Sequence, residues 1–422
     1  MNQNIIKKFH SIIGSNGKVL TNEEDLACYS YDAYAETPIL PEIVIKPTEY
    51  QQIEEIIKLC NEENIPIVTR GAGTNLSGGT IPKSRGCVLL TTALNKIIEI
   101  NENDLYAVVQ TGVVTANLAK AVEAKGLFYP PDPGSMNIST IGGNVAENAG
   151  GLRGLKYGVT KDYVMGINFY DPEGNFVKSG GKTVKLVTGF NLQGLMISSE
   201  GLLGIMTEIT LKLIPKPKAS KSMIVFFDDV ITASEMVSAI IASKIVPATL
   251  EFLDSFTIKA VEEATKIGLP DVGALLLIEV DGHEGQVEDE YKKIVVIANQ
   301  MNGKIKVAQN TEEKNQIWEA RRKALSSLAR LKPTLILEDA TVPRSKIPDM
   351  MRAIQTITKK YNLTIGTFGH AGDCNLHPTI LTDRRNKQEM EIVEKAIDEI
   401  FEAALNLEGT LSGEHGVGTA KA

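Results

Sequence analysis

The 422-residue sequence is poor in the residues that most often announce a metal or redox centre: four cysteines, five histidines and one tryptophan. Cys28, Cys60, Cys87 and Cys374 are scattered without a CxxC pair, which argues against a cysteine-bound iron–sulfur cluster and against a disulfide framework. Any iron–sulfur carrier would sit on another chain. Long apolar runs are also missing, since no stretch approaches the roughly 18 residues of a membrane span. The amino-terminal MNQNIIKKFHSIIGSNG has neither an apolar h-region nor a small-residue cleavage site. The sequence therefore reads as a soluble, cytoplasmic protein with no integral membrane segment. Positive charge is in deficit, with Lys+Arg 44 against Asp+Glu 52 and a net charge of -8. Without a local basic run, nucleic acid is not an expected partner.

What is present is a chain long enough for two buried cores, alternating strand-like and helix-like segments. TEYQQIEEIIKLCNEENIP carries a cap-like Thr48 with Gln51 three residues on, then Ile53, Ile56, Ile57 and Cys60 at helical spacing. IPIVTR, CVLLTT and LYAVVQTGVV read as strands, and TANLAKAVEAKG as a helix ended by Gly126. PKPKAS, residues 215–220, breaks the pattern with two prolines and two lysines and predicts a boundary. Beyond it come MIVFF, a helix from Ser234 to Ala242, ATLEFLD, a helix near Ala260, ALLLIEV and a long helix ending at Gly303. Without sequence repeats, this suggests an α+β second domain.

RGAGTNLSGG follows IPIVTR directly, with Arg70, Gly71, Ala72, Gly73, Thr74, Asn75, Leu76, Ser77, Gly78 and Gly79 in a row. Glycine permits the positive φ of an anion-binding nest and leaves no side chain in the way, so such a loop can turn several N–H groups toward a diphosphate. An ordinary flexible loop is the plain alternative. The spacing does not fit a Rossmann fingerprint, and no clear amphipathic helix opens at the last glycine.

Three further segments bear on the choice: PPDPGS (130–135), IGGNVAENAGGLRGLKYGVT (141–160) and SEGLLGIMTEITLKLIP (199–215). With the first loop they resemble the FAD-binding domain of the vanillyl-alcohol oxidase and p-cresol methylhydroxylase superfamily. The resemblance implies that residues 70–79 grip the pyrophosphate. It implies that Pro131, Asp132 and Ser135 line the isoalloxazine and ribityl chain together with Gly142, Gly143, Asn144, Asn148, Gly150, Gly151, Tyr157 and Gly158. It further implies that Glu200, Gly201, Gly204 and Ile205 lie along the adenosine half. Several superfamily members attach flavin through a histidine, but the only histidine before residue 283 is His10, outside these loops. Noncovalent FAD is expected.

Three of the five histidines fall in GHAGDCNLHP (369–378) and SGEHGVG (412–418). His370 and His377 are seven apart, an odd spacing that would put them on opposite faces of one strand, so a turn at Ala371 to Asn375 must bring them together. Two imidazoles and the carboxylate of Glu414 form a set that suits a divalent transition metal, although each histidine alone reads equally as a surface or hydrogen-bonded core residue. IWEARRKALSSLARL (317–331) reads as a helix with Trp318 one turn before Arg321 and with Arg322 facing solvent.

HAGDxNLHP followed by SGEHGxG resembles the carboxy-terminal domain of FAD-linked 2-hydroxy acid oxidases, a group that includes the glycolate oxidase subunit and D-lactate dehydrogenases. The resemblance implies that His370, His377 and Glu414 bind a metal (zinc, manganese or iron), that His415 takes the substrate hydroxyl proton, and that Arg321, in the family's WxxR pattern, clamps the substrate carboxylate. Cys374 stands where the family usually has glycine, which bears on the turn or offers an extra soft ligand. The implied architecture is α+β: an N-terminal segment (1–35), a vanillyl-alcohol-oxidase-type FAD-binding domain (36–215), and a ferredoxin-like α+β substrate or cap domain (216–422). The implied activity is oxidation of glycolate or D-lactate to the 2-oxo acid by hydride transfer to flavin N5. The electrons would go to a partner chain, an iron–sulfur subunit or an electron-transferring flavoprotein. An accessory flavin-binding subunit without its own chemistry, or a reductive or alkyl-transferring member of the superfamily, is the competing reading. Family members usually continue past the EHGxGxxK segment to an NPGK-like close, whereas this sequence finishes at GTAKA, so weaker flavin binding is expected.

Overall fold

The amphipathic segment after Thr48 forms the helix Tyr50–Glu62 in a computed structural model of the chain, which describes residues 1–34, 36–308 and 310–422. The cap lies one residue later than the sequence suggested. Glu49 is the N-cap, and Gln52 rather than Gln51 closes the capping box, accepting from the N–H of Thr48 at 2.8 Å and of Glu49 at 3.1 Å. Ile53, Ile56, Ile57 and Cys60 are buried against Ile43, Ile45, Cys87 and Leu89, as their spacing predicts. The helix links Ile43–Lys46 to Ile67–Arg70, and both strands run parallel to Cys87–Leu90 between them. Lys18–Leu20 adds an antiparallel edge. CVLLTT ends as a strand at Leu90, and its threonines enter the short 3₁₀ turn Thr91–Ala93.

A five-stranded antiparallel sheet has the order Ile97–Asn101, Tyr106–Gln110, Ile205–Lys212, Val164–Tyr170, Phe176–Gly180. These two sheets belong to a first compact unit, Met1–Gly150 with Val159–Lys216 and Glu414–Ala422. Its core includes Phe9 and Ile13 of the helix Gln3–Ile13, so the first residues of the chain are part of this unit.

The second unit comprises Gly151–Gly158 and Pro217–Gly413. Its antiparallel sheet runs Lys304–Val307, Ala219–Phe227, Ala274–Gly282, Thr249–Asp254, Thr364–His370, Asn375–Thr382, Thr334–Leu337, with Ala340–Thr341 also paired to Asn375–Thr382. ALLLIEV is apolar at consecutive positions because both faces of its strand are covered. Leu276 and Ile278 share a core with Val237, Ile294, Ile354 and Ile400, from the helices Val230–Ala242, Glu284–Gln300, Ile347–Tyr361 and Lys387–Asn406. Leu275 and Leu277 share another with Val261 of Ser255–Thr265 and with Trp318, Ala324 and Leu328 of Thr311–Leu328. Among the described residues no helix is long and apolar enough to cross a membrane.

Candidate functional site

In the first unit, the strand Ile67–Arg70 delivers the chain into the glycine loop. Arg70 turns back under it, donating from Nη1 to the Tyr31 carbonyl at 2.7 Å and to Thr80 Oγ1 at 3.2 Å. Gly73 has φ +70, and a Cβ there would lie 2.2 Å from Arg70 Nη2, so glycine is required both by conformation and by space. Asn75 Oδ1 folds the far side by accepting from the N–H of Ser77 at 3.3 Å and of Gly79 at 3.0 Å. The N–H groups of Ala72, Gly73, Thr74, Asn75 and Leu76 meet no acceptor among the described residues. Among the described residues, Oγ1 of Thr111, the residue against which Gly142 packs, and Ser199 Oγ are buried hydroxyls without a partner. A run of open backbone donors on a glycine-rich loop fits the pyrophosphate of a flavin dinucleotide.

Not every residue expected at the flavin faces outward. Asn144 is a buried strut, donating from Nδ2 to Thr115 Oγ1 at 2.8 Å. Asn148 closes the helix Ile141–Glu147 in a left-handed conformation, φ +51, and accepts from the N–H of Lys161. Gly151, Tyr157 and Gly158 lie in the second unit, where Tyr157 donates its hydroxyl to Asp281 Oδ2 at 2.7 Å and Lys156 pairs with Oδ1 at 2.6 Å. Glu200 accepts from the N–H of Val417 at 2.8 Å and of Gly418 at 2.7 Å.

Glu147 was not anticipated. Among the described residues its Oε2 is buried without a partner, and burial, reinforced by Glu200 and Asp32, pushes its carboxyl up to about 8. Because the folded-state value lies above the unfolded one, the proton-bound form stabilises the fold at low pH. That contribution is lost as pH rises toward about 8. Glu147→Gln should therefore stabilise the fold near pH 8.5, by roughly 1–3 kcal/mol once partial exposure is allowed for, seen as a higher melting temperature, and change it little near pH 4.5. Equal shifts at both pH values in a thermal scan would contradict this.

In the second unit, the hairpin Thr364–His370 and Asn375–Thr382 pairs Phe368 with His377 and His370 with Asn375, which places all four on one face. The His370 and His377 rings meet edge to face, 5.3 Å between centroids. The turn between them needs a left-handed residue, and Cys374 supplies it at φ +62, a conformation that suits glycine better. Its thiol donates to the Ala371 carbonyl at 3.4 Å and burial pushes it up to about 12, so it is held neutral and is poorly suited to act as a soft ligand.

Glu251 is fully buried on the neighbouring strand. One oxygen lies 2.8 Å from His370 Nδ1, and the other accepts from Arg321 Nε at 2.5 Å. Burial pushes its carboxyl up, but the charges and hydrogen bonds of His370 and Arg321 outweigh this and hold it below the usual range. Arg321 lies over the Phe368 ring at 4.9 Å, and its terminal nitrogens meet no acceptor among the described residues. Arg322 is exposed. His377 Nδ1 lies 3.8 Å from Asp339, a buried carboxylate that also accepts from Asn375 Nδ2 at 2.6 Å, Ser412 Oγ at 2.9 Å and the Gly413 N–H at 2.8 Å. Glu414 and His415 follow Gly413 in the chain and belong to the first unit.

Sequence reasoning missed Glu251, Asp339 and Phe368. One signal was available for Glu251: an acid in the middle of a buried strand must be paired, since an unpaired buried charge costs several kcal/mol. Nδ1 of His370 faces a carboxylate, the way a metal-binding imidazole is usually held. The donor chemistry of the two histidines fits a divalent ion.

Residues 216–422 match the family described as FAD linked oxidases, C-terminal domain, and residues 41–180 match the FAD binding domain family. The chain is 54% identical over 396 residues to the glycolate oxidase subunit GlcD of Bacillus subtilis, covering 93% of this chain and 84% of that one. It is 33% identical over 434 residues to a D-lactate dehydrogenase of Anaerostipes hadrus, covering 99% and 90%. Among solved structures it resembles p-cresol methylhydroxylase, with TM-score 0.81 and 17% identity, covering 99% of this chain and 89% of that one. It also resembles alkyldihydroxyacetonephosphate synthase, with TM-score 0.78 and 18% identity, covering 98% and 82%. The α+β, two-domain fold is that of the p-cresol methylhydroxylase type.

Proposed function

The chain belongs to the FAD-linked oxidases and is an FAD-dependent oxidoreductase, and from this premise we propose that it oxidises a small 2-hydroxy acid, glycolate or D-lactate, to the 2-oxo acid. The observation that carries the reading is Arg321, whose Nε is fixed by Glu251 while its two terminal nitrogens remain for a carboxylate, in the same buried group as the His370 and His377 pair. A planar guanidinium binds a carboxylate bidentately and so orients the carbon beside it.

FAD would be held by the loop from Arg70 to Gly79 and would supply the two-electron acceptor, flavin N5, for the C2 hydride. His370, His377 and Glu414 would hold a divalent ion, which would supply Lewis-acid chemistry. His415 removes the hydroxyl proton, leaving the 2-oxo acid. The loop from Arg70 to Gly79 holds the pyrophosphate, and without a histidine in it the FAD is noncovalent. The electrons leave to a partner protein, an iron–sulfur subunit or an electron-transferring flavoprotein.

Anaerobic mixing with a panel of 2-hydroxy acids should bleach the flavin with glycolate or D-lactate. No bleaching with any member would sink the reading. Acid precipitation should release all the flavin to the supernatant, and a yellow pellet would contradict the noncovalent assignment.

A further inference from the structure

The structure assigns Glu251 a role of its own: we propose that it is a positioning residue, one buried carboxylate that sets both the substrate-binding edge of Arg321 and the ligand-bearing tautomer of His370. The inference rests on the reading of Arg321 and His370 given above and deepens it. Glu251 offers only acceptors when ionised. Its Oε1, 2.8 Å from His370 Nδ1, favours the tautomer with the ring proton on Nδ1, the one in which Nε2 is the nitrogen able to ligate a metal ion. Its Oε2 takes the Nε–H of Arg321, which leaves the edge formed by the two terminal nitrogens for a carboxylate. Phe368 completes the arrangement, packed under the guanidinium at 4.9 Å and 5.5 Å from the His377 ring. Both partners are themselves largely buried, His370 at 9% and Arg321 at 11% side-chain exposure, so water does not readily replace the carboxylate for either.

Glutamine separates the two tasks, because it has one acceptor oxygen and an amide that can only donate. The guanidinium can only donate and is charged, so it keeps the oxygen. The amide N–H then faces His370 Nδ1, which must become the acceptor, moving the ring proton to Nε2 and blocking the ligand position. Glu251→Gln should therefore weaken divalent-ion binding by about 10–100-fold, while the KM for a 2-hydroxy acid, measured with the ion saturating, rises much less.

The test uses the FAD-loaded chain. Zinc affinity is measured by competition with a chromophoric chelator, and the protonated nitrogen of His370 is identified by ¹⁵N NMR of histidine-labelled protein without zinc. The proposal expects a proton on Nδ1 in the wild type and on Nε2 in Glu251→Gln, together with the loss of zinc affinity. A proton on Nε2 of wild-type His370, or equal zinc affinity in the two forms, overturns it. The wild-type spectrum decides the matter even if the variant does not fold. If the wild type binds no divalent ion, the metal assignment falls, while the tautomer still tests Glu251.

Discussion

His415→Asn should slow substrate-dependent flavin reduction by about 10²–10⁴-fold while FAD and divalent ion stay bound, the contribution typical of a general base. Asparagine keeps a polar side chain but cannot take a proton near neutral pH. The proposed ligands are His370, His377 and Glu414, so metal content should match the wild type. The neighbouring backbone has its own anchors: Asp339 accepts from the Gly413 N–H, and Glu200 from those of Val417 and Gly418. The substitution therefore tests the base and not the position of the segment. Stopped-flow reduction at the wild-type rate would remove His415 from the mechanism.

His377→Ala should behave differently, losing the bound ion and substrate-dependent reduction together and retaining FAD. The glycine loop from Arg70 to Gly79, the proposed flavin site, lies in the first unit, whereas His377 lies in the second. Two remaining ligands hold a divalent ion far more weakly than three, so activity should return in part at high added metal. His377 is buried, 3% exposed, and its removal leaves a cavity beside Phe368 and His370. His377→Gln, closer in volume, guards against a loss that comes from packing alone. Elemental analysis together with reduction rates decides the point, and a metal-free wild type with full activity would end the metal assignment.

Much of this was legible in the sequence where the cause is local. The helix Tyr50–Glu62 follows from apolar residues spaced for one face, and the glycine loop from the positive φ at Gly73 and Gly78. The cap was misplaced by one residue because Thr48 resembles a cap more than Glu49 does, and only the reach of Gln52 to both backbone N–H groups settles it. Glu251 was beyond local reasoning. Its partners lie 70 and 119 residues away, and no spacing within ATLEFLD shows that the strand will stand beside His370. Likewise GLRGLKYG looked continuous with the flavin segment around it. Leu155 belongs instead to the core of Leu250 and Ile336, and Lys156 and Tyr157 to Asp281.

The glycine loop also has a consequence for the order in which the protein can be finished on the ribosome. The Ser77 carbonyl accepts from the N–H of Thr419 at 2.9 Å and of Ala420 at 3.0 Å, and the Thr419 hydroxyl reaches the Gly78 carbonyl 341 residues upstream. Nascent domains generally fold from the amino terminus as they emerge. Here the glycine loop proposed to hold the dinucleotide is translated early but receives these hydrogen bonds only after Pro217–Gly413 has been synthesised. Through that interval the first unit lacks Glu414–Ala422, and the Glu200 carboxylate lacks the two N–H groups that it will later accept. A stalled nascent chain ending before Glu414 should therefore hold FAD less tightly than one that extends through Ala422.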